Sequence, residues 1–414
     1  MTLSEELNWR GFVNQTTLEN ISELDKKKFV FYWGVDPSSD SMTVGNLATA
    51  MMVKHFIKYG HKPVLLIGGA TGLIGDPDGK SNERELKSKQ TIAKNKQGIL
   101  AQYHRLFGTK DITVVDNYDW FKGFEYLDFL RDVGKHVPMR QMLSREFVQA
   151  RLNEDGSGIS YAEFSYVLIQ AYDFLHLHRE LKANLQLCGS DQWGNSIAGV
   201  DLIRRITGDK ADVWASPLVV NPITGVKFGK TEDGAIWLDK AKTSPTAFYQ
   251  FWVNSDDRYI EQYLKIFTEL NPHEIESLMA EQRRDPKQRQ AQFALADWVT
   301  ELVHGKEPML QAKKVTGYIT GAIDLKDATT EDISFIKQEI PAVKSSGSII
   351  DALTDSGLAS SNTSAKQLLE SGAVYVNQHK TIQDKFKAED FIGGYLLLRK
   401  GKAYKDSALV SLGQ

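Results

Sequence analysis

The feature that most constrains the fold of this chain is a series of short apolar runs, each closed by glycine, in its first half. Residues 29–33 end at Gly34, and residues 63–67 end at two glycines. The segment 47–59 between them carries apolar residues at helical spacing. Residues 113–115 and 185–187 predict further strands, and 163–177 predicts a helix. Strands that alternate with helices of this length predict parallel βαβ units, and therefore an α/β fold with a Rossmann-like, doubly wound parallel sheet.

The composition of the chain is that of a globular protein. The 414 residues are 42% hydrophobic and 25% charged, with a formal net charge of -3, which is ordinary for a globular chain. No run approaches the roughly 18 apolar residues of a membrane helix, so we expect no membrane partner. The single cysteine, Cys188, excludes an intrachain disulfide and a multi-cysteine zinc site, and favours a cytoplasmic location. A near-neutral chain can bind nucleic acid only through a local basic face.

The pattern of residues changes along the chain and predicts its domains. We expect the sheet domain over residues 1–243 and an α-helical domain over 244–320. Residues 321–345 are poorly periodic and predict a linker. Residues 346–414 predict a small α+β module.

Two turns that follow predicted strands could hold a ligand. The first contains Asp36 and Gly45 and opens a helix, whose N-terminus attracts anions. A plain strand–turn–helix connection explains it equally well. The second is the glycine turn at 68–76, where Asp76 could accept hydrogen bonds from an ammonium group or could be a buried cap. It is not a P-loop, because Ile74 stands where that motif needs glycine.

Three further patterns carry polar residues. Tyr166, Gln170 and Asp173 lie at helical spacing and predict a polar stripe that faces a ligand, with a solvated surface as the alternative. The segment 188–195 is rich in glycine and polar residues directly after a strand, which is typical of a ligand loop. The loop 227–231 carries two lysines that could clamp a polyphosphate, although alone it is a weak pattern.

These five patterns, in this order, resemble bacterial tyrosyl-tRNA synthetases, which are class I aminoacyl-tRNA synthetases. The most specific are Gly-Gly-Ala-Thr-Gly-Leu-Ile-Gly-Asp at 68–76 and Gly-Ser-Asp-Gln-Trp-Gly-Asn at 189–195. Lys-Phe-Gly-Lys-Thr at 227–231 resembles the KMSKS loop of the class. Segments 117–120 and 129–136 also match, and the second leads into the dimer interface of the family. The resemblance therefore implies a homodimer with an interface insertion at about 118–160.

The resemblance implies that the chain activates L-tyrosine with ATP and transfers it to the 3′-terminal adenosine of tRNA(Tyr). Mg²⁺ would accompany ATP as a substrate complex, and neither a tightly bound cofactor nor a protein metal site is expected. The tyrosine carboxylate would attack the α-phosphorus and expel pyrophosphate. Catalysis would then consist of positioning and stabilisation of charge.

The resemblance also implies the roles of individual residues. Tyr32 and Asp173 should contact the phenol hydroxyl, and the rest of the tyrosine substrate should contact Asp76, Tyr166, Gln170 and Gln192. The residues expected to bind ATP are Asp36, Gly45, Thr49, Gly189, Asp191 and Lys230. The residues expected to act in catalysis are Ser38, Thr43, Asn46, Lys80, Arg84, Lys227, Lys230 and Thr231.

Some residues depart from the family pattern. The HIGH tetrapeptide of the class reads Thr-Val-Gly-Asn at 43–46. Its first histidine, which in the family helps to bind the γ-phosphate, is Thr43, whose hydroxyl can donate one hydrogen bond but cannot carry a charge. We expect Thr43 to be a weakened phosphate contact. Trp33 and Cys188 also stand where the family usually has smaller residues, and Cys188 is expected to be a packing residue.

The tail resembles a small RNA-binding module that is shared with a ribosomal small-subunit protein. The residues expected to bind RNA are Lys366, Lys380, Arg399 and Lys400. Asn362 and Thr363 stand where family members usually carry Arg or Lys, so few phosphate contacts are expected. The alternative for this face is a charged surface without RNA.

Two alternative functions remain. The first is a catalytically weakened synthetase paralogue that acts as an RNA-binding protein, which the replacement at Thr43 favours. The second is a synthetase for tryptophan with the same architecture, against which Tyr32 and Asp173 argue because both would face the phenol end.

Overall fold

The computed structural model describes residues 1–77, 86–143, 145–152, 158–220, 228, 230–231, 234–345, 347–401 and 406–413; of residues 141, 146, 147, 230 and 231 it describes the backbone. The helices are α1 (Leu3–Arg10), α2 (Glu23–Lys26), α3 (Val44–Lys58), α4 (Thr71–Ile74), α5 (Lys89–Phe107), α6 (Tyr118–Phe121), α7 (Tyr126–Asp132), α8 (Met139–Leu143), α9 (Glu146–Leu152), α10 (Tyr161–Leu181), α11 (Trp193–Thr207), α12 (Pro245–Val253), α13 (Ile260–Phe267), α14 (Pro272–Arg284), α15 (Gln290–His304), α16 (Lys306–Thr320), α17 (Thr330–Glu339), α18 (Ile349–Asp355) and α19 (Asn362–Glu370). The strands are β1 (Gln15–Thr16), β2 (Val30–Val35), β3 (Lys62–Ile67), β4 (Thr113–Asp116), β5 (Leu185–Gly189), β6 (Asp212–Ser216), β7 (Lys230–Thr231), β8 (Gly234–Ala235), β9 (Ala342–Ser345), β10 (Val374–Val376), β11 (His379–Thr381), β12 (Tyr395–Lys400) and β13 (Ser407–Leu412).

The chain forms two compact units, residues 1–239 with 258–280, and residues 240–257 with 281–414. The first unit is built on a six-stranded sheet in the order β1–β6–β5–β2–β3–β4. Strands β6 through β4 run parallel to their neighbours, and β1 at the edge is antiparallel to β6. The predicted α/β class is therefore confirmed. The predicted strands at 29–33, 63–67, 113–115 and 185–187 are present, whereas β1 and β6 were not predicted.

The central strands have the composition that a parallel sheet requires. In β2, Phe31, Tyr32 and Trp33 are all buried, and β3 is buried from Pro63 onward. A strand that is covered on both faces reads as a continuous apolar run rather than as an alternating one. The sequence patterns that predict β2 and β3 are therefore consequences of this burial.

The order of the strands places a crevice beside β2. From β2 the chain passes to β3 and β4 on one side, and β5 and β6 lie on the other side. Such a switch point leaves a crevice at the carboxyl ends of the parallel strands. The loops that follow β2, β3 and β5 all open there, and they are the loops that carry the first, second and fourth sequence motifs.

The boundary between the first two predicted domains differs from the structure. Residues 258–280 belong with the first unit, although the sequence pattern assigns them to the helical domain. The cause is visible at α13. The buried Arg10 of α1 donates from Nη1 to the carbonyl oxygens of Lys265 and Thr268, both at 2.8 Å, and from Nη2 to that of Leu270 at 2.9 Å. These bonds satisfy the end of α13, so a helix far along the chain is held by the first one.

The predicted linker at 321–345 is wrong, because this stretch is folded. It contains α17 and β9, and β9 pairs in parallel with β13 in a five-stranded sheet of order β11–β10–β12–β13–β9. Ile336 and Ile340 lie in one buried cluster with Leu397 and Leu409 of that sheet. The apolar residues of α17 have helical spacing, but the exposed charges between them hide the pattern in the sequence.

The rest of the tail matches the sequence pattern. Helix α19 begins at Asn362 with Ser361 as its N-cap, and β10 follows the glycine turn at Gly372. The α+β character of the tail is therefore as predicted. Within the ranges that the structure describes, no helix has both the length and the apolar content needed to cross a membrane.

Candidate active site

A cavity of about 450 Å³ lies at the carboxyl ends of β2, β3 and β5 in the first unit. The structure brings most of the predicted site residues together around it. These are Tyr32, Asp36, Ser38, Thr43, Gly45, Asn46, Thr49, Asp76, Tyr166, Gln170, Asp173, Gly189, Asp191 and Gln192. They come from loops and helices that are far apart in the chain, so their meeting is a property of the fold.

The cationic part of the predicted site is not among these residues. Lys80, Arg84 and Lys227 lie outside the described residues, as do the side chains of Lys230 and Thr231. Among the described residues that line the cavity, none is Lys, Arg or His. This part of the cavity is instead acidic, with four carboxylates on Asp36, Asp76, Asp173 and Asp191.

The carboxylate of Asp173 is buried at the end of the polar stripe on α10. Its side chain is 2% exposed, and it accepts hydrogen bonds from Asn117 Nδ2 and Trp120 Nε1, both at 3.0 Å. Burial raises the pKa of Asp173 well above its usual value, and the two donors oppose that rise. Asp173 is therefore fixed in one orientation inside the cavity.

Tyr32 presents a hydroxyl to the same cavity. Its side chain is 2% exposed, and its Oη has no hydrogen-bond partner among the described residues. Burial raises the pKa of Tyr32, so the phenol keeps its proton and can both donate and accept. An unpartnered buried hydroxyl costs free energy, and a polar ligand atom would remove that cost.

A second polar group of the cavity is built around Asp36 and Tyr166. Tyr166 Oη donates to Asp36 Oδ2 at 2.8 Å, and Thr71 Oγ1 donates to Asp36 Oδ1 at 2.6 Å. The resemblance assigned Tyr166 to the tyrosine substrate and Asp36 to ATP. The structure joins the two side chains in one hydrogen-bonded group.

A third polar group joins the glycine turn to the loop after β5. Gln192 Nε2 donates to Asp76 Oδ2 at 2.5 Å, and Asn195 Nδ2 donates to Gln192 Oε1 at 3.1 Å. The neutral amide of Gln192 orients the carboxylate of Asp76. The arrangement suits a cationic ligand group such as an ammonium.

Sequence reasoning missed residues that hold this site together. Asn117 is completely buried; besides Asp173 it contacts the glycine turn, accepting from Ala70 N at 2.6 Å and donating to Thr71 Oγ1 at 3.0 Å. Gln186 lines the cavity with an unpartnered buried Oε1 and pairs with Tyr32 across neighbouring strands. The position of Asn117 two residues after the predicted strand at 113–115 was a signal that could have found it.

The threonine that replaces the first HIGH histidine caps α3. Thr43 N and Thr43 Oγ1 both donate to Asn46 Oδ1, at 3.0 and 3.1 Å. The sequence predicts that this hydroxyl contacts phosphate. In the structure its proton is instead donated to Asn46.

The chain at the lysine loop contacts the rest of the first unit at Phe228 and again just after the loop. Phe228 is 9% exposed, and its ring centroid lies 4.6 Å from that of Tyr263 and 5.7 Å from that of Phe267, both on α13. After the loop, Val44 N donates to Ile236 O at 3.0 Å, which ties the chain to the start of α3.

Two departures from the family pattern also line the cavity. Cys188 is buried, Ser196 Oγ lies 3.4 Å from its Sγ, and burial raises the pKa of its thiol to about 12. A thiol with such a pKa is a packing group rather than a nucleophile, as expected. Trp33 is buried against Tyr103, with 5.5 Å between ring centroids.

The predicted RNA-binding residues of the tail divide into two kinds. Lys366 and Lys380 are exposed. Arg399 is 8% exposed and donates from Nη1 to Gln378 Oε1 at 2.5 Å, so its guanidinium is engaged within the tail, and its assignment to RNA stays a prediction. Lys400 Nζ donates to Leu358 O at 3.0 Å within the tail itself. Of the four predicted residues, Lys366 and Lys380 are thus the two whose whole side chains lie on the surface.

Comparison with known families shows which family the chain belongs to. Residues 24–318 match the family model described as "tRNA synthetases class I (W and Y)". Residues 332–405 match the model described as "Tyrosine--tRNA ligase SYY-like C-terminal domain". The chain belongs to the class I tRNA synthetases of the tryptophan and tyrosine family.

Individual relatives carry the name of one member of that family. Tyrosine–tRNA ligase of Limosilactobacillus fermentum is 42% identical over 412 residues, which cover 97% of this chain and 98% of the relative. Tyrosine–tRNA ligase 2 of Bacillus cereus is 42% identical over 426 residues, with 100% of both chains covered. The crystal structure of a C-terminally truncated mitochondrial tyrosyl-tRNA synthetase from Aspergillus nidulans is 31% identical with a TM-score of 0.68, covering 76% of this chain and 92% of that chain.

The first prediction concerns the donor that orients Asp173. Asn117→Ala removes a hydrogen bond to a buried carboxylate, and such bonds contribute about 1.5–3 kcal/mol, so L-tyrosine should bind about 10- to 100-fold more weakly. Titration calorimetry with L-tyrosine measures the change. Asn184→Ala is the matched control, because Asn184 Oδ1 accepts from Val30 N at 3.1 Å at the other end of the same strands. Equal affinities in the wild type and Asn117→Ala would contradict the role of Asn117.

Proposed function

We propose that this chain activates L-tyrosine with ATP to form tyrosyl-adenylate and transfers the tyrosyl group to the 3′-terminal adenosine of tRNA(Tyr). The observation that carries the proposal is the buried pair of Tyr32 and Asp173 in one cavity. Tyr32 Oη lacks a partner among the described residues, and Asp173 is fixed by two N–H donors. A phenol hydroxyl is a ligand atom that can both donate to a carboxylate and bond to a second hydroxyl. The full-length similarity to tyrosine–tRNA ligases supports the same substrate.

The acidic side chains of the cavity support binding of the ammonium group of the tyrosine substrate. Asp76, with Tyr166 and Gln170, is proposed to hold the ammonium group, while Gln192 keeps the carboxylate of Asp76 in place. The tyrosine carboxylate then attacks the α-phosphorus of ATP; a carboxyl–phosphate bond forms and the bond to pyrophosphate breaks. The enzyme forms no covalent bond in this step, so its side chains act by positioning and charge.

Gly45 supports the placement of the nucleotide. A Cβ built at Gly45 would meet no neighbouring protein atom closer than 3.5 Å. Protein packing therefore leaves room for a side chain at this position, and a ligand that lies against the backbone gives glycine a reason to be there. We propose that the adenosine lies along Gly45 and Thr49, with Asp36, Gly189 and Asp191 close to it.

The phosphates require positive charge that the described lining does not supply. We propose that Lys80, Arg84, Lys227 and Lys230 supply it, with Ser38, Asn46 and Thr231 as neutral neighbours. No cluster of three or more His, Cys, Asp or Glu side chains in the described part of the chain could hold a metal ion. Mg²⁺ enters the proposal bound to the phosphates of ATP, where it neutralises charge.

The second prediction tests the reaction itself. Purified protein should catalyse tyrosine-dependent ATP–pyrophosphate exchange and should strongly reject phenylalanine, because phenylalanine leaves the buried hydroxyl of Tyr32 without a polar partner and offers no donor to Asp173. Asp173→Ala should lose exchange with tyrosine. The control is Asp209→Ala, a carboxylate of the same unit that is outside the cavity and bonds His178 at 3.0 Å.

Two outcomes would contradict this proposal. If phenylalanine supports exchange as well as tyrosine does, the phenol hydroxyl is not what the site recognises. Binding of tRNA without exchange would favour the alternative of an RNA-binding paralogue.

The second unit is proposed to bind tRNA. Lys366 and Lys380 are exposed on its tail, and such side chains position RNA through phosphate contacts that read little sequence. The helices at 245–317, of which residues 258–280 belong to the first unit, are proposed to contribute contacts on the anticodon side, as the family implies. Charging tRNA for translation also implies a cytoplasmic location.

The third prediction separates activation from charging. Deletion of residues 322–414 should leave pyrophosphate exchange nearly intact and abolish tRNA charging, because the described residues that line the cavity lie before residue 240. The cut falls before α17 rather than at 346, since β9 belongs to the sheet of the tail. A truncated protein that charges tRNA at the full-length rate would contradict the assignment.

We also propose that the chain is a homodimer joined through the insertion at about 118–160. Tyr126, Leu127, Met139 and Tyr161 are all more than half exposed, and Leu127 is 75% exposed. Large exposed apolar side chains that concentrate in one stretch of a chain support an interaction surface there. These side chains would be covered by a second copy of the chain.

The fourth prediction tests this surface. Leu127→Asp should shift the protein from dimer to monomer in sedimentation equilibrium, because it places a charge in an apolar interface. Ile382→Asp is the matched control, since Ile382 is equally exposed, at 74%, in the second unit. A wild-type monomer, or a Leu127→Asp dimer of unchanged stability, would contradict the proposal.

A further inference from the structure

Thr43 and Asn46 are joined by two hydrogen bonds that share one acceptor. The backbone N–H and the side-chain hydroxyl of Thr43 both donate to one atom, Asn46 Oδ1, at 3.0 and 3.1 Å. Both side chains line the cavity at the start of α3. This position is where the chain departs from the histidine of the class motif.

The backbone N–H fixes which way the amide of Asn46 points. A backbone N–H can only donate, so the amide atom next to it must be the oxygen and not the nitrogen. The amide NH₂, which carries two donors, is therefore turned away from Thr43. An NH₂ group on this wall of the cavity can donate to a ligand oxygen.

The same bonds remove Thr43 from direct contact with phosphate. A hydroxyl has one proton, and the proton of Thr43 is donated to Asn46. Phosphate oxygens at neutral pH accept hydrogen bonds and need a donor. Thr43 could reach a phosphate as a donor only by breaking its bond to Asn46.

The surrounding backbone holds this arrangement in place. Thr43 forms a β-bridge with Trp237, Val44 N donates to Ile236 O at 3.0 Å, and Leu238 N donates to Met42 O at 2.9 Å. The start of α3 is thus paired with the segment that follows the lysine loop. The geometry of Thr43 is set by this pairing as well as by the helix.

We propose that Thr43 is a positioning residue that holds the amide of Asn46, so that the NH₂ group of Asn46 donates to ATP. The inference rests on the proposed activation of tyrosine with ATP. It replaces the expectation that Thr43 is itself a weak phosphate ligand. In this chain the two ends of the tetrapeptide act as one unit, with Asn46 as the group that touches the nucleotide.

A double-mutant cycle on the full-length protein tests the proposal. Thr43→Val, Asn46→Ala and the double variant are compared by ATP–pyrophosphate exchange, with KM measured separately for ATP and for tyrosine. Thr43→Val should raise KM for ATP about 3- to 10-fold and leave KM for tyrosine unchanged, as expected for one lost hydrogen bond. In the Asn46→Ala background, Thr43→Val should change KM for ATP by less than about twofold, because residues that act through one another are not additive.

Further variants separate positioning from stability. Thr43→Ser keeps the hydroxyl and should retain the wild-type KM for ATP. Asn46→Asp keeps an oxygen that accepts from Thr43 but lacks the NH₂ group, so it should weaken ATP binding as Asn46→Ala does. Thr329→Val is the matched control, because Thr329 N and Oγ1 donate to Asp332 Oδ2, at 2.9 and 2.8 Å, in the same arrangement on a helix that does not line the cavity. It should lose stability without any change in KM for ATP.

The outcomes that would overturn the proposal are distinct from failure of the proposed function. If Thr43→Val changes KM for ATP by the same factor in both backgrounds, Thr43 contacts the nucleotide directly. If Thr43→Val has no effect, or Asn46→Asp binds ATP as the wild type does, the positioning role is wrong. If the wild type itself shows no tyrosine-dependent exchange, the proposed function is overturned and this inference with it.

Discussion

The pairing of β2 with β3 on one side and with β5 on the other is the constraint on which the first unit depends. Because the chain leaves β2 in one direction and returns to its other side only at β5, the loops after these strands diverge and leave a crevice. The cavity, the glycine turn and the loop at 189–195 all take their positions from this one arrangement. The chemistry of the site therefore depends on hydrogen bonds between strands that are more than a hundred residues apart in the sequence.

The site is built from buried polar groups that are held by neutral donors. Asn117 and Trp120 hold Asp173, while Tyr166 and Thr71 hold Asp36. Each of these donors fixes the direction of a carboxyl group without bringing a charge of its own into the cavity. This explains how an acidic cavity can be rigid before a substrate enters. It also explains why an ATP-binding site here needs cations from other residues of the chain.

The second unit shows the limit of reading domains from local pattern. The stretch 321–345 looks irregular because exposed charges separate the apolar residues of α17 and because β9 is short. The stretch is folded because Ile336 is buried in one cluster with Leu397 and Leu409, which lie far along the chain. A segment whose burial depends on distant partners does not display that burial in its own periodicity.

The sequence by itself determined the central strands, the helices that follow them and the loops that carry the family motifs, because backbone propensity and burial on both faces of a sheet leave local patterns. It also brought Tyr32, Asp76 and Asp173 forward as candidates, since these residues stand in recognisable motifs. Only the tertiary structure decided the hydrogen-bond partners: the amide of Asn46 for Thr43, Asn117 for Asp173, and Gln378 for Arg399. The physical reason is that a hydrogen bond requires two groups within about 3 Å at a suitable angle, and the folded chain sets that distance.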